Sequence, residues 1–370
     1  MKDSVQHGGH VQEDSFQMEI VSTHKLNHNF NTLSVGKPFR YPDFCLITGG
    51  DDGTIRVYTT IKDLQSQNFQ EISKLESKGG PVQCLHLHNV TKFGSTDLII
   101  GDSKGMLTIF SNEQILNRRV LSHGSITALT VDEDFAGNLA IVVGDDEGTV
   151  TAVSPYGSLW KLRLQDACKQ MHKQLGLSTS VKCMLSVRLP TSSGAPANYL
   201  LVADNCKNLF ILQNGMVVFK LQVTSVVTAM SPGYFIPIIP QLFSPSQSFG
   251  SPWQQSITSS RQPQVAIATE GGSIYILSNF QLQPYASVQL PVTHLATFPG
   301  DGHANGTDFL LCAGHFNALM VFQQQELVKK LDTKEWLHSV LCTNINNEKE
   351  IVLGMMDNTV MTYKVALPSY

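Results

Sequence analysis

The sequence predicts an all-β fold, a seven-bladed β-propeller closed into a ring. Three observations predict it. First, a ten-residue signature recurs seven times without a gap: 49–58 (GGDDGTIRVY), 101–110 (GDSKGMLTIF), 144–153 (GDDEGTVTAV), 203–212 (ADNCKNLFIL), 268–277 (ATEGGSIYIL), 313–322 (AGHFNALMVF) and 354–363 (GMMDNTVMTY). Second, the copies start 52, 43, 59, 65, 45 and 41 residues apart, and a four-stranded blade takes about 40–45 residues. Third, each copy follows a short apolar run and holds small turn-forming residues at its centre, so each reads as a β-hairpin.

The elements follow in chain order. Residues 1–15 are polar and carry no apolar stretch, so they read as a disordered tail ahead of one propeller domain over 16–365. The segment 18–26 (MEIVSTHKL) has strand character and precedes the first hairpin by enough to be spare. Only seven residues follow Tyr363, too few for a further strand and turn. The 18–26 strand is therefore expected to complete the last blade and close the ring, because an open propeller leaves two unpaired edges. Residues 29–35 (NFNTLSV) then form the inner strand of blade one. Position one of each signature is Gly or Ala, which suits a place where neighbouring backbones approach closely.

The two long intervals hold insertions. In 164–179, Leu164, Ala167, Cys168, Met171 and Leu175 share one face of a short amphipathic helix. It packs on the rim or meets a partner. The second insertion, 231–264, is rich in proline, serine and aromatics, and too long for an ordinary turn. Its first half (GYFIPIIPQLF) reads as a docking segment, either on its own propeller or on another subunit. Tyr234, Phe235, Ile236, Ile238, Leu242, Phe243 and Trp253 are the candidate partner-binding residues.

Composition excludes several functions. The net charge is −4 with no basic block, which argues against tracking a nucleic-acid backbone. Seven scattered cysteines show no CxxC or metal-ligand spacing and fit buried thiols in a reducing, cytoplasmic setting. No apolar run reaches the ~18 residues of a membrane helix.

Catalytic signals are thin. There is no zinc-protease motif, P-loop, nucleophile elbow or dinucleotide fingerprint. His86 and His88 share a strand face, but no third ligand can be named. Paired acids such as Asp51–Asp52 and Asp145–Asp146 sit where turns need aspartate. No enzyme activity, cofactor or metal is expected. The inner strands offer His86 and His294 as titratable groups and no carboxylate, a poor acid–base set for a channel-site enzyme or ligand binder.

Three loops precede apolar strands with alternating Asp or Asn: 132–138 (DEDFAGN), 300–306 (GDGHANG) and 344–350 (NINNEKE). They are similar to calcium loops of FG-GAP repeats, yet none has a full set of anionic ligands, so they read as degenerate. With the seven hairpins, they make the chain resemble intracellular WD40-like and FG-GAP-like propellers, although no hairpin ends in Trp-Asp. It looks like the FG-GAP repeat-containing subunit of the lysosome-associated KICSTOR complex, and next like the propellers of BBSome subunits. That resemblance implies a non-catalytic protein–protein interaction scaffold whose partners are other subunits of a complex. It would be cytoplasmic, recruited by those partners to the lysosome or the cilium base.

Overall fold

The computed structural model describes residues 16–63, 66–134, 136–167, 178–191, 194–237, 262–300, 306–345 and 348–367. Their strands form seven antiparallel sheets of four. Blade one is Phe30–Gly36, Cys45–Gly50, Thr54–Asp63 and Ser66–Glu76. Blades two to six start from inner strands Val82–His88, Ile126–Glu133, Val181–Pro190, Val227–Gly233 and Val292–Phe298. They end on outer strands Gln114–Val120, Ser158–Arg163, Met216–Gln222, Gln281–Ser287 and Glu326–Asp332. Blade seven is Leu337–Ile345, Glu348–Met355 and Thr359–Ala366, with the N-terminal strand Gln17–Lys25 as its outer member.

The ring therefore closes as the length arithmetic requires. Gln17 stands opposite Ala366 and Lys25 opposite Thr359 in an antiparallel ladder. Just before it, Phe16 is 1% exposed and lies 4.8 Å, centroid to centroid, from Phe309.

The hydrophobic core is divided among seven seams between neighbouring blades. This explains the small first residue of the signature. A Cβ on Gly49 would lie 2.5 Å from Val82, one on Gly101 2.5 Å from Ile126, and one on Gly144 2.5 Å from Val181. In each case the obstacle is the first residue of the next inner strand. What approaches is a side chain across the seam, not a neighbouring backbone.

The second residue of the signature does turn work where it is aspartate. Asp102 Oδ1 accepts the Lys104 and Met106 amides at 2.9 and 3.0 Å, and Asp145 Oδ1 accepts those of Glu147 and Thr149. Gly105, between them in the first turn, sits at φ 74°, where its Cβ would meet the Ser122 carbonyl.

The helix predicted from 164 appears as one turn, Leu164–Ala167, with Leu164 buried against blades three and four. The rest of that predicted face lies outside the described residues, as does the tail 1–15. No helix among the described residues is long and apolar enough to cross a membrane.

Candidate functional site

A propeller offers three places for chemistry: the inner strands around its axis, the loops, and the outer flank. The inner strands share one irregularity. Each carries a one-residue bulge at its second position, at Asn31, Gln83, Thr127, Lys182, Thr228, Thr293 and His338. A bulge re-aims a side chain, and here several reach the next blade. Asn31 Nδ2 donates to the Val82 carbonyl at 3.3 Å and Thr127 Oγ1 to the Val181 carbonyl at 2.7 Å. Thr228 Oγ1 donates to the Val292 carbonyl. These hydroxyl and amide groups stitch blade to blade.

Two inner-strand histidines, His86 and His294, are held neutral. Burial, then the neighbouring His88, pushes the His86 pKa down to about 4. Burial, then His338 and His315, does the same to His294, also to about 4. His88 stands opposite Asp97 in the ladder, but Asp97 is fully buried and its Oδ2 accepts the Thr91 amide at 2.9 Å, pinning that loop. No group of three or more His, Cys, Asp or Glu could hold a metal ion among the described residues. Burial raises the thiols of Cys84, Cys183 and Cys342 to about 12. They are not nucleophiles near neutral pH.

Blade one holds a polar network. His28 Nε2 meets Thr48 Oγ1 at 3.0 Å, and the Tyr58 hydroxyl meets His28 Nδ1 at 3.4 Å. Beside them Arg56 pairs with Asp52 at 2.7 Å, and hydrogen bonding from Arg56 brings the Asp52 pKa down to about 2.

The Asp/Asn loop of blade three is also spent on structure. Asp132 Oδ1 accepts from Ser186 Oγ at 2.6 Å and from Asn198 Nδ2, both in blade four. Asp134 Oδ1 accepts the amides of Ala136 and Asn138. In the other two loops, 301–305 and 346–347 lie outside the described residues.

Three of the seven predicted partner-binding residues are described, and they dock on the chain's own propeller. Phe235 is fully buried, its ring centroid 6.2 Å from that of Tyr285 in the outer strand of blade five. Gln264 Oε1 accepts the Phe235 and Ile236 amides at 2.9 Å each, and Gln264 Nε2 returns a bond to the Ile236 carbonyl at 2.8 Å. The Tyr234 amide donates to Asp308 Oδ2 at 2.9 Å, tying the segment to blade six. Phe235 thus has no surface to offer a partner, because burying its ring in the seam between blades five and six satisfies it first. Ile238, Leu242, Phe243 and Trp253 lie outside the described residues.

The exposed apolar surface lies on the flank. Of fifteen exposed large hydrophobics among the described residues, eight belong to the outer strands of blades two, three and four and the turns before them. Among them Val120 is 63%, Leu159 52% and Met216 68% exposed. The three strands are contiguous. Asn117 Nδ2 donates to the Pro155 carbonyl, and Lys161 Nζ to the Leu121 carbonyl, joining blades two and three. Gly215 lies so close to the Trp160 ring that a Cβ there would come within 2.8 Å, joining three and four. Phe219 stacks on Phe280 of blade five at 4.7 Å. The sequence carried a signal, because 114–120, 158–163 and 216–222 contain no acid, but alternation alone did not tell the outer strand from the inner.

The sequence matches no protein-family model and no curated protein. Solved structures share the fold. BBS1N, solved in complex with ARL6DN, superposes with a TM-score of 0.66 at 10% identity, over 96% of this chain and 98% of that one. The WD40 propeller domain of Doa1 gives 0.61 at 14% identity, over 94% and 96%. Sqt1 from Chaetomium thermophilum gives 0.61 at 14% identity, over 90% and 83%. The likeness is one of fold: a seven-bladed propeller over nearly the whole chain.

Proposed function

We propose that this chain is a non-catalytic interaction scaffold, one subunit of a multi-protein complex. One contrast carries the reading. On the inner strands Asn31, Thr127 and Thr228 bond to the next blade, while exposed apolar surface gathers on the flank of three consecutive blades. A channel that did chemistry would need the opposite arrangement. The finer assignment is a KICSTOR-like subunit acting in nutrient signalling, cytoplasmic and brought to the lysosome by its partners. It rests on the hairpins and degenerate Asp/Asn loops. A second assignment, a BBSome-like subunit at the cilium base, draws support from the likeness to BBS1N over 96% of this chain.

The test is mass spectrometry of proteins that co-purify with the tagged chain from its native cell. A stoichiometric set of subunits is expected, and its identity chooses between the two assemblies. A chain that elutes alone from extract overturns the scaffold reading.

A further inference from the structure

We propose that the outer strands of blades two, three and four dock an acidic, amphipathic segment of a partner protein. The proposal deepens the scaffold reading and rests on it. The outer strands of blades two, three and four each carry a one-residue bulge at the same height, opposite the last two residues of the signature, and the bulged residues are Leu116, Leu159 and Val218. All three are large and apolar, and they are 40, 52 and 41% exposed. Blades one and six bulge at that height too, at Ile72 and Val328. The bulge of blade five lies two residues along, at Tyr285, which is only 4% exposed with Phe235 of the chain's own docked segment against it.

Charge says what kind of cover fits. In blade five the outer strand (QLQPYAS) has no charge, and the segment over it (YFI) has none. The strands of blades two, three and four (QILNRRV, SLWKLR, MVVFKLQ) hold five cations and no acid. Arg118, Arg119, Lys161 and Arg163 make no ion pair among the described residues. The outer strands of blades one, six and seven mix both signs. Charged edges ordinarily keep sheets from pairing with other chains. Three neighbouring edges of one sign, beside exposed aliphatics, instead select a partner of opposite sign. The strands stand around the convex flank of a ring. A flat lipid surface would meet one blade at a time, whereas a peptide segment can follow the curve. The occupant therefore alternates apolar side chains, for the three bulges, with Asp or Glu.

The probe is a fluorescein-labelled peptide of alternating Glu and Leu, read by anisotropy against the full-length chain. Its twin carries Lys for Glu. The acidic peptide is expected to bind at least tenfold tighter than the twin, and more weakly as salt rises. The triple variant R119E/K161E/R163E should lose at least tenfold, and so should the uncharged double variant L159S/V218S. K329E/K330E on blade six should bind as the wild type does. All variants are first shown to melt as the wild type does. Equal binding of the two peptides overturns the proposal, as does unchanged binding by the two flank variants. So does retention on phosphatidylserine vesicles that the flank variants lose while no peptide binds, since the surface would then be a lipid one. Co-purification separates this idea from the scaffold reading. A subunit set retained in full by both flank variants overturns the flank and leaves the scaffold. Peptide bound through the flank by a chain with no cellular partners does the reverse.

Discussion

The seam between blades six and seven and the seam between blades seven and one are built differently. Among the described residues the first holds fifteen buried apolar residues, the second six. The second, where the N-terminal strand of blade seven runs on into blade one, also carries polar contacts. Leu26 N donates to the Asn358 carbonyl at 2.9 Å, and Asn358 Nδ2 to Asn29 Oδ1 at 2.9 Å. His28, Thr48 and Tyr58 form their network on its blade-one side. His338 packs edge-on against Phe30 with centroids 4.7 Å apart. Apolar burial holds the N-terminal strand on one side, while directional bonds set its register on the other. A ring closed this way fails in two distinguishable manners.

The largest effect should come from the apolar side. Phe16 inserts between Phe298 and Phe309 at 5.4 and 4.8 Å, directly ahead of the closing strand. Phe16→Ala should cost about 3–5 kcal/mol, the range for truncating a buried phenylalanine. Urea unfolding would report it as a lower midpoint. Hydrogen exchange should show protection lost first in Gln17–Lys25. A loss below about 1 kcal/mol would mean the strand is held by its ladder alone.

Acid should act next, through the histidines of the inner strands and of the seam between blades seven and one. Burial, followed by Arg56, lowers the pKa of His28, and burial lowers that of His338. His86 and His294 are brought down to about 4. Below pH 6.5 the unfolded chain takes up protons that these folded histidines refuse. The stability present above pH 6.5 is thus lost as pH falls toward 4. For the two displaced to about 4, the loss between pH 7 and pH 5 is roughly 3 kcal/mol. The melting temperature should fall over that window, and exchange at pH 5 should quicken first in Val82–His88 and Val292–Phe298. A flat profile from pH 7 to 5 would show that these rings are solvated.

The contrast between seams also marks what the sequence could show. The hairpins were legible because a clash repeats: Gly49, Gly101 and Gly144 face Val82, Ile126 and Val181 each time, so each must stay small. Closure was legible from chain length. The bulges left no compositional trace, because an extra residue can be Asn31, Thr127 or His338 with the same backbone result. Phe235 was recognised as a docking residue but not assigned a host, since apolar content is the same whichever surface receives it. What fixed its host was Gln264, nearly thirty residues away, which receives both amides. Asp132 looked like a weak calcium ligand because its donors, Ser186 and Asn198, belong to the next blade.

Smaller effects should dissect the polar side. His28→Ala and Thr48→Val should each cost about 1 kcal/mol, the usual net worth of a hydrogen bond. If the 3.0 Å contact is the link, the double variant should cost less than the sum of the two, by about 0.5–1 kcal/mol. Simple additivity would place the stabilisation elsewhere in the network.

Lys25→Ala should do least, below about 0.5 kcal/mol. Lys25 Nζ reaches Asp357 only at 3.9 Å, and its side chain is 71% exposed. Holding a long side chain in one geometry costs entropy, and water screens what the pair gains. Lys25 sits on the same side of blade one as His28 but is exposed where His28 is half-buried. A loss equal to that of His28→Ala, measured in the same urea titration, would mean that surface charge closes the ring. A null result leaves the half-buried ring nitrogen and its hydroxyl partner as the polar half of the clasp.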